Sequence, residues 1–435
     1  MKLLSTILIG FALLPFFTAC SENLTSLSAS GELTITSLTS DFKVAPNTTF
    51  SEGINFYNVS IASDPNNGFL VIWVNEYHRG ASFLLQNYGC RISQTGEVLD
   101  SEAIHLCNSN WPHYCPSVVF AGGNWIICSQ EGSLLEYVQA MRLTPSGDIL
   151  DDPPVNICDS IGMATILYPT IATNGQEILC VTGIAGEGLY GSIFDPDLNI
   201  LVDRFLIFEQ GVVGSFPRVS ANGDNFFITF LDWENEMNIK LVIVNTEGQI
   251  LSTQDVSEDW GPPDNIENRG VPTITTFNNT SYITYFDNLA FWVRRYSSDG
   301  NPLDSSSEKV LESQDFDLFL EEYRGTIQKE AYIDLVWANQ SFCFFWPETA
   351  LGMKMMSFKP DLSTYKDMPV LLNSQSQLCL ELHWDDWPTW TDSHSLIRAA
   401  SIGNRVLTTW IDEREGFGQG RVYGNLFEVT TDTGN

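Results

Sequence analysis

Positive charge is scarce in this chain. Against 54 Asp and Glu it sets 21 Lys and Arg, with five His, for a formal net charge of −33. A surface that acidic repels phosphate backbones and anionic lipid headgroups, which argues against a nucleic-acid-binding protein. Cationic partners, Ca2+ or plain solubility remain as what the charge serves. Zinc spacing is missing as well, since no Cys-x-x-Cys pair and no Cys/His cluster occurs. There is no Ser-centred nucleophile elbow, no glycine-rich phosphate loop and no His-Glu-x-x-His. Helical periodicity of useful length is absent, which leaves an all-β reading. Beyond residue 20 no apolar run is long enough to span a bilayer as a helix.

The first twenty residues stand apart from the rest. Lys2 precedes an almost wholly apolar stretch, Leu3 to Phe17, and the segment ends Phe17-Thr18-Ala19-Cys20. Small residues before a cysteine at this point resemble the lipobox of bacterial lipoproteins, with Phe17 where that box usually carries Leu. The resemblance implies cleavage before Cys20 and acylation of its thiol and new amino group. It also implies residence at the cell envelope, at the outer membrane, with the membrane as a partner through the lipid. Residues 1–19 then read as signal peptide and 20–30, polar and poor in bulky side chains, as a tether. The competing reading is an ordinary secretory signal in which Cys20 is incidental.

Eight further cysteines make an even number in an exported chain, so disulfides are open to it. Cys128, Cys180 and Cys343 lie inside apolar strand patterns and read as small core residues. Cys107 and Cys115 flank one short connection and are the candidate disulfide.

What the chain has in abundance is self-similarity. A short strand, a Gly or Asn turn and an apolar strand recur, as in Pro116-Ser-Val-Val-Phe…Trp125-Ile-Ile-Cys and Pro169-Thr-Ile-Ala-Thr…Ile178-Leu-Cys-Val. Pro217-Arg-Val-Ser…Phe226-Phe-Ile-Thr and Pro272-Thr-Ile-Thr…Tyr282-Ile-Thr-Tyr continue the series, and Asn58 takes the Pro position in the first unit. Each unit closes with a third strand, a tight turn and a fourth strand. The turns include Gln94-Thr-Gly96, Pro145-Ser-Gly147, Thr246-Glu-Gly248 and Ser298-Asp-Gly300, whose residues supply hairpin backbone angles. Seven such units predict an all-β fold: a seven-bladed β-propeller of four-stranded antiparallel blades over residues 31–435. The seventh unit lacks a fourth strand, while Ser30-Gly31-Glu32-Leu33-Thr34-Ile35 reads like Thr95-Gly96-Glu97-Val98-Leu99. Residues 31–37 are therefore expected to complete the last blade and close the ring, and the chain is expected to be a monomer.

Trp410-Ile-Asp412-Glu-Arg414-Glu-Gly416, and less closely Trp73-Val-Asn75-Glu-Tyr-His-Arg79-Gly80, resemble the Trp-x-Asp-x-Arg-x-Gly repeats of bacterial secreted and surface proteins. The middle units lose Trp, Arg or both. That resemblance implies a propeller and no particular activity. Asp-box turns of the Ser-x-Asp-x-Gly-x-x-Trp kind, a mark of sialidase-type propellers, do not occur.

Two features fall at the rim where propellers usually hold ligands. An acid recurs just past the second strand: Glu131, Asp232, Asp287, Glu348 and Asp412, with Asn75 in the first unit. Such carboxylates suit Ca2+ or a cationic ligand, or else serve only to cap turns and pair locally, as Asp412 could with Arg414. The blade-to-blade connections are rich in aromatics, above all Trp384, Trp387 and Trp390 in the run His383 to His394, with Trp111, Tyr114 and Trp260 in corresponding places. Flat rings beside carboxylates suit sugars, although single Trp residues can equally wedge between blades. The function expected is therefore a lipid-anchored envelope protein holding a ligand, a glycan among the candidates, on the loop face. A protein-interaction scaffold and a glycoside hydrolase or lyase stay open, since the last needs only two placed carboxylates. Growth with a labelled fatty acid should put label on the wild-type chain and none on Cys20→Ala; equal labelling of both would remove the lipoprotein reading.

Overall fold

The computed structural model describes residues 33–46, 55–79, 82–106, 113–132, 137–159, 166–184, 186–209, 217–232, 238–257, 272–287, 290–312, 334–348, 352–364, 370–371, 397–412, 414 and 421–431. Regular structure among the described residues is all β. The chain opens with β1 (Leu33–Ser37) and β2 (Phe42–Lys43). Blade 1 follows as β3 (Asn55–Asp64), β4 (Gly68–Arg79), β5 (Ser82–Ile92) and β6 (Ile104–His105). Blade 2 is β7 (His113–Ala121), β8 (Asn124–Glu131), β9 (Tyr137–Leu143) and β10 (Val155–Asp159). Blade 3 is β11 (Ile166–Thr173), β12 (Ile178–Ile184), β13 (Gly188–Phe194) and β14 (Ile200–Glu209). Blade 4 is β15 (Arg218–Asn222), β16 (Asn225–Asp232), β17 (Asn238–Val244) and β18 (Ile250–Asp255). Blade 5 is β19 (Thr273–Phe277), β20 (Thr280–Asp287), β21 (Ala290–Ser297) and β22 (Glu308–Glu312). Blade 6 is β23 (Asp334–Ala338), β24 (Ser341–Glu348), β25 (Gly352–Phe358) and β26 (Val370–Leu371). Blade 7 is β27 (Ile397–Ile402), β28 (Arg405–Asp412) and β29 (Arg421–Thr431), with β1 and β2 on its outer edge.

Within each blade the strands lie in chain order and pair antiparallel. The first strands neighbour one another around a ring, β3 beside β7, β7 beside β11, and so on to β27 beside β3. The chain is thus a seven-bladed β-propeller.

Burial of the second strands explains their sequences. Every residue from Phe226 to Leu231 is buried, and its run is nearly continuous apolar rather than alternating, as a strand covered on both faces requires. Because side chains alternate across a strand, the run divides between two neighbours. Phe226, Ile228 and Phe230 pack on Leu179 and Val181 of blade 3, whereas Phe227 and Leu231 pack on Ile283 and Tyr285 of blade 5. The same division repeats at all seven interfaces. The last joins Leu407 and Ile411 of blade 7 to Phe69, Val71 and Trp73 of blade 1. Each large side chain so buried contributes about 1.5–3 kcal/mol. Cys128, Cys180 and Cys343 are buried free thiols in these layers, as their strand patterns implied. Burial pushes the Cys343 thiol up to about 12, against a hydrogen bond with Ser357.

The proline position of the repeat has a structural meaning beyond a strand start. Inner strands β7 and β11 run upstream of Pro116 and Pro169, and their ladders slip between Tyr114 and Ser117 and between Leu167 and Thr170. In β3 the slip lies between Tyr57 and Ser60, where Asn58 has φ 48°. A bulge interrupts the ladder where proline has no N–H to give.

The outer hairpins share one geometry in six blades. In blade 5 the Ser297 N–H donates to Asn301 O at 2.9 Å and the Gly300 N–H donates to Ser297 O at 2.9 Å. The fourth turn residue is left-handed each time: Gly96, Gly147, Gly248 and Gly300, but Leu198 and Leu362 in blades 3 and 6. A left-handed Leu costs about 1–2 kcal/mol, and both leucines offset it by being buried. At Gly300 a Cβ would also collide with Ile243 of blade 4, so this glycine serves both the turn and the close approach of the neighbouring blade.

An arginine staple that the sequence reading missed reinforces three interfaces. Arg91–Asp100, Arg142–Asp151 and Arg295–Asp304 pair at 2.6, 2.9 and 2.5 Å, each nine residues apart. Each arginine then donates to the hairpin of the next blade: to Pro145 O at 2.6 Å, Asp197 Oδ1 at 2.8 Å and Pro360 O at 2.8 Å.

The ring closes through the N-terminal strand. β1 pairs with β29 from Leu33↔Thr431 to Ser37↔Phe427, and Leu33 is buried against Phe427 and Val429 in one core cluster. β2 extends the closure, with Phe42 opposite Gly424. Deleting residues 30–40 is expected to cost about 3 kcal/mol or more, from the loss of buried Leu33 and a re-opened sheet edge. Calorimetry checks it; an unchanged melting temperature would show that this strand does not hold the ring.

Candidate functional site

The two faces of the propeller are built differently. On one, strands are joined by the short hairpins between first and second strands, two to four residues each, and by the tight outer turns. On the other lie the connections from second to third strand and from blade to blade. The blade-to-blade segments grow from six residues between Asp159 and Ile166 to 25 between Leu371 and Ile397. Long connections on a rigid frame are where binding groups collect.

The recurring acids stand at this second face, at the end of the second strand in blades 2, 4, 5, 6 and 7, and the structure shows what several of them do. Asp412 is fully buried. Its Oδ2 accepts the Trp410 indole N–H at 2.9 Å and an Arg414 guanidinium N–H at 2.6 Å, and its Oδ1 accepts the Arg414 backbone N–H at 2.8 Å. The same guanidinium donates to Asp41 Oδ2 at 3.0 Å and lies 4.2 Å from the Tyr423 ring centre. Burial works against its charge, yet the hydrogen bonds and charges of Asp412 and Asp41 outweigh it and hold Arg414 above its ordinary value. Blade 1 repeats the first step, with the Trp73 indole donating to buried Asn75 Oδ1 at 3.0 Å. Trp and acid, two apart on a strand, share a face, so the acid is placed to satisfy the buried indole. Asp232 has Lys240 Nζ at 3.7 Å. Glu131, Asp232 and Asp287 are all buried. Glu348 ends β24, and its side chain lies outside the described residues. Among the described residues no three His, Cys, Asp or Glu side chains come together as a metal site, so the acids are not gathered into a Ca2+ ring there.

Trp111, Trp260, Trp384, Trp387, Trp390 and Cys107 lie outside the described residues. Their flanking strands nevertheless assign them: Trp111 to the connection from blade 1 to 2, Trp260 to that from 4 to 5, and the other three to that from 6 to 7. Tyr114 and Cys115 fall in β7, Tyr114 at the start of its bulge and Cys115 within it, and their side chains lie outside the described residues. The described strands that bound these connections end on the second face.

The innermost strands add charges that the sequence reading passed over. Asp334 of blade 6 accepts the backbone N–H of Ala399 in blade 7 at 2.7 Å and that of Leu335 at 2.9 Å. Burial pushes its carboxyl up, while Arg398, those two N–H groups and Arg218 of blade 4 pull it down. A lone Asp or Arg in short strands whose other residues are uncharged was the available signal.

No family model and no curated protein matches the chain. Among solved structures, a puromycin-hydrolysing peptidase of Mycobacterium tuberculosis is similar at TM-score 0.50 and 11% identity, over 88% of this chain and 55% of that one. The chain thus spans about half the length of that peptidase. A protein of unknown function from Dyadobacter fermentans gives TM-score 0.49 and 10% identity over 91% and 99% of the two chains. The endosialidase of phage phi92 gives 0.48 and 8% over 92% and 70%. At such identities the likeness is one of propeller fold.

Asp412→Ala should cost about 3 kcal/mol, because it strands the Trp410 indole and leaves Arg414 with Asp41 alone. Asp412→Asn should recover part of that through the indole bond. Urea melts of both variants, with and without calcium, check it; stabilisation by calcium that only the wild type shows would restore the metal role.

Proposed function

We propose that this protein is a lipid-anchored component of the bacterial cell envelope that binds an extracellular glycan on the face carrying the long connections. The contrast between the two faces supports this reading most. The hairpin face is six times the same turn, whereas the opposite face varies in length from blade to blade and holds the Trp-rich segment between Leu371 and Ile397. Indole rings offer sugar C–H groups a flat apolar surface, and Asp385, Asp386 and Asp392 in the same segment can accept hydroxyl hydrogens. The rim acids described above are engaged in the frame, so the recognition chemistry falls to the connections.

A glycan array probed with the mature chain tests the reading. Binding should appear, and Trp384→Ala, Trp387→Ala and Trp390→Ala should each weaken it about tenfold, from ~1.5 kcal/mol per lost ring contact, at unchanged melting temperature. No glycan binding together with a co-purifying protein would favour an interaction scaffold. Glycan cleavage that survives the Trp variants would favour a hydrolase or lyase.

A further inference from the structure

One exposed apolar position repeats around the molecule. Leu99, Leu150, Leu201, Leu251 and Leu303 each follow the outer turn by the same step in blades 1 to 5, and they are 46, 47, 50, 53 and 53% exposed. A single exposed leucine needs no explanation. Five at one register position, in five consecutive blades, put an exposed apolar side chain beside each of those outer turns of the hairpin face. None of them packs in the seven core clusters.

The N-terminal strand enters on that same face. Leu33 pairs with Thr431, beyond Glu428, and Glu428 pairs with Arg405 at the Ile402–Arg405 hairpin. Arg405 in turn donates to Gln94 O, in the outer turn of blade 1, at 3.0 Å. Twelve residues, Ser21 to Glu32, separate the acylation site from Leu33. A coil of that length spans about 20 Å. The far face is about 26 Å further up the blade, eight residues along β14 from Leu201 to Glu209.

We infer that the hairpin face, with its exposed leucines, rests on the lipid surface that holds the anchor, so that the face with the long connections points away from the membrane. This rests on the lipid-anchor reading above. The turns beside the leucines carry Glu97, Asp148, Asp197, Glu247 and Asp299, so the surface that fits is zwitterionic rather than anionic. Half-exposed leucines beside the turns offer such a surface apolar contact.

The test uses the full acylated chain on phosphatidylcholine vesicles, with an environment-sensitive fluorophore on Leu201→Cys or Glu209→Cys, two exposed ends of one strand. The wild-type chain carried through the same labelling gives the background. Flotation reports the anchor, and quenching by lipid-borne nitroxides reports the orientation. The expected result is flotation that Cys20→Ala abolishes, loss of most fluorescence at position 201, and little loss at 209. Flotation with equal quenching at both positions, or with more at 209, overturns the orientation alone. No flotation of the wild-type chain overturns the anchor and the orientation with it.

Discussion

Everything in this structure depends on a strand that cannot stand at an edge. The second strand of each blade is apolar on both faces, so it needs a neighbouring blade on both sides. One blade, or an open row of blades, would expose the rows that here lie at zero to a few percent exposure. Only a closed ring gives every such strand two partners, and the Leu407 and Ile411 layer against Phe69, Val71 and Trp73 is where that demand is met. Closure by β1 follows from the same constraint, since it gives the third strand of the last blade an outer neighbour taken from the other end of the chain.

That constraint also explains why the Trp-x-Asp-x-Arg pattern survives where it does. In blade 7 a chain of contacts runs from Trp410 to Asp412, to Arg414, to Asp41, and from Asp41 to the Asn425 amide at 3.0 Å. Asp41 belongs to the closing segment between β1 and β2. The pattern of the last unit thus ties its buried Trp to the segment that seals the ring. Blade 1, on the other side of the seam, keeps the Trp73 and Asn75 half of the arrangement. The middle blades have no seam to seal. The interfaces away from the seam are held by other means: Arg–Asp staples at Arg91, Arg142 and Arg295, and close contacts such as Gly300 against Ile243.

The architecture was legible in the sequence because its rules are local. Turn glycines, alternating and continuous apolar runs, and the Leu33-Thr-Ile echo of Val98-Leu99 are each visible within a few residues. Two things were illegible for the same reason reversed. The arginine staples depend on which blade lies beside which, and nine-residue Arg–Asp spacing has no meaning until the hairpin folds it together. The bulges at Pro116 and Pro169 were read as strand starts, because proline ends a ladder in sequence terms, whereas the structure carries the strand past it. Of the site, the face could be named and the chemistry only in outline. The connections that hold Trp384, Trp387 and Trp390 follow no repeat, so no second copy helps to interpret them.

The placement of the acids bears on function more than their number. A net charge of −33 invites a metal or a cationic ligand, but Glu131, Asp232, Asp287 and Asp412 at the rim are buried, Asp412 is spent on the Trp410 indole and the Arg414 guanidinium, and Asp232 faces Lys240. A carboxylate that satisfies a buried indole cannot turn outward without stranding it, at a cost of about 1–3 kcal/mol. The frame therefore fixes its own polar groups and leaves recognition to segments that the ring does not need. One face is constrained by the close approach of neighbouring blades and by the closing strand. The other bears, beyond the acids that end the second strands and the Asp412–Arg414–Asp41 seam, connections whose length and side chains the core layers do not use, and that freedom is what a binding surface requires.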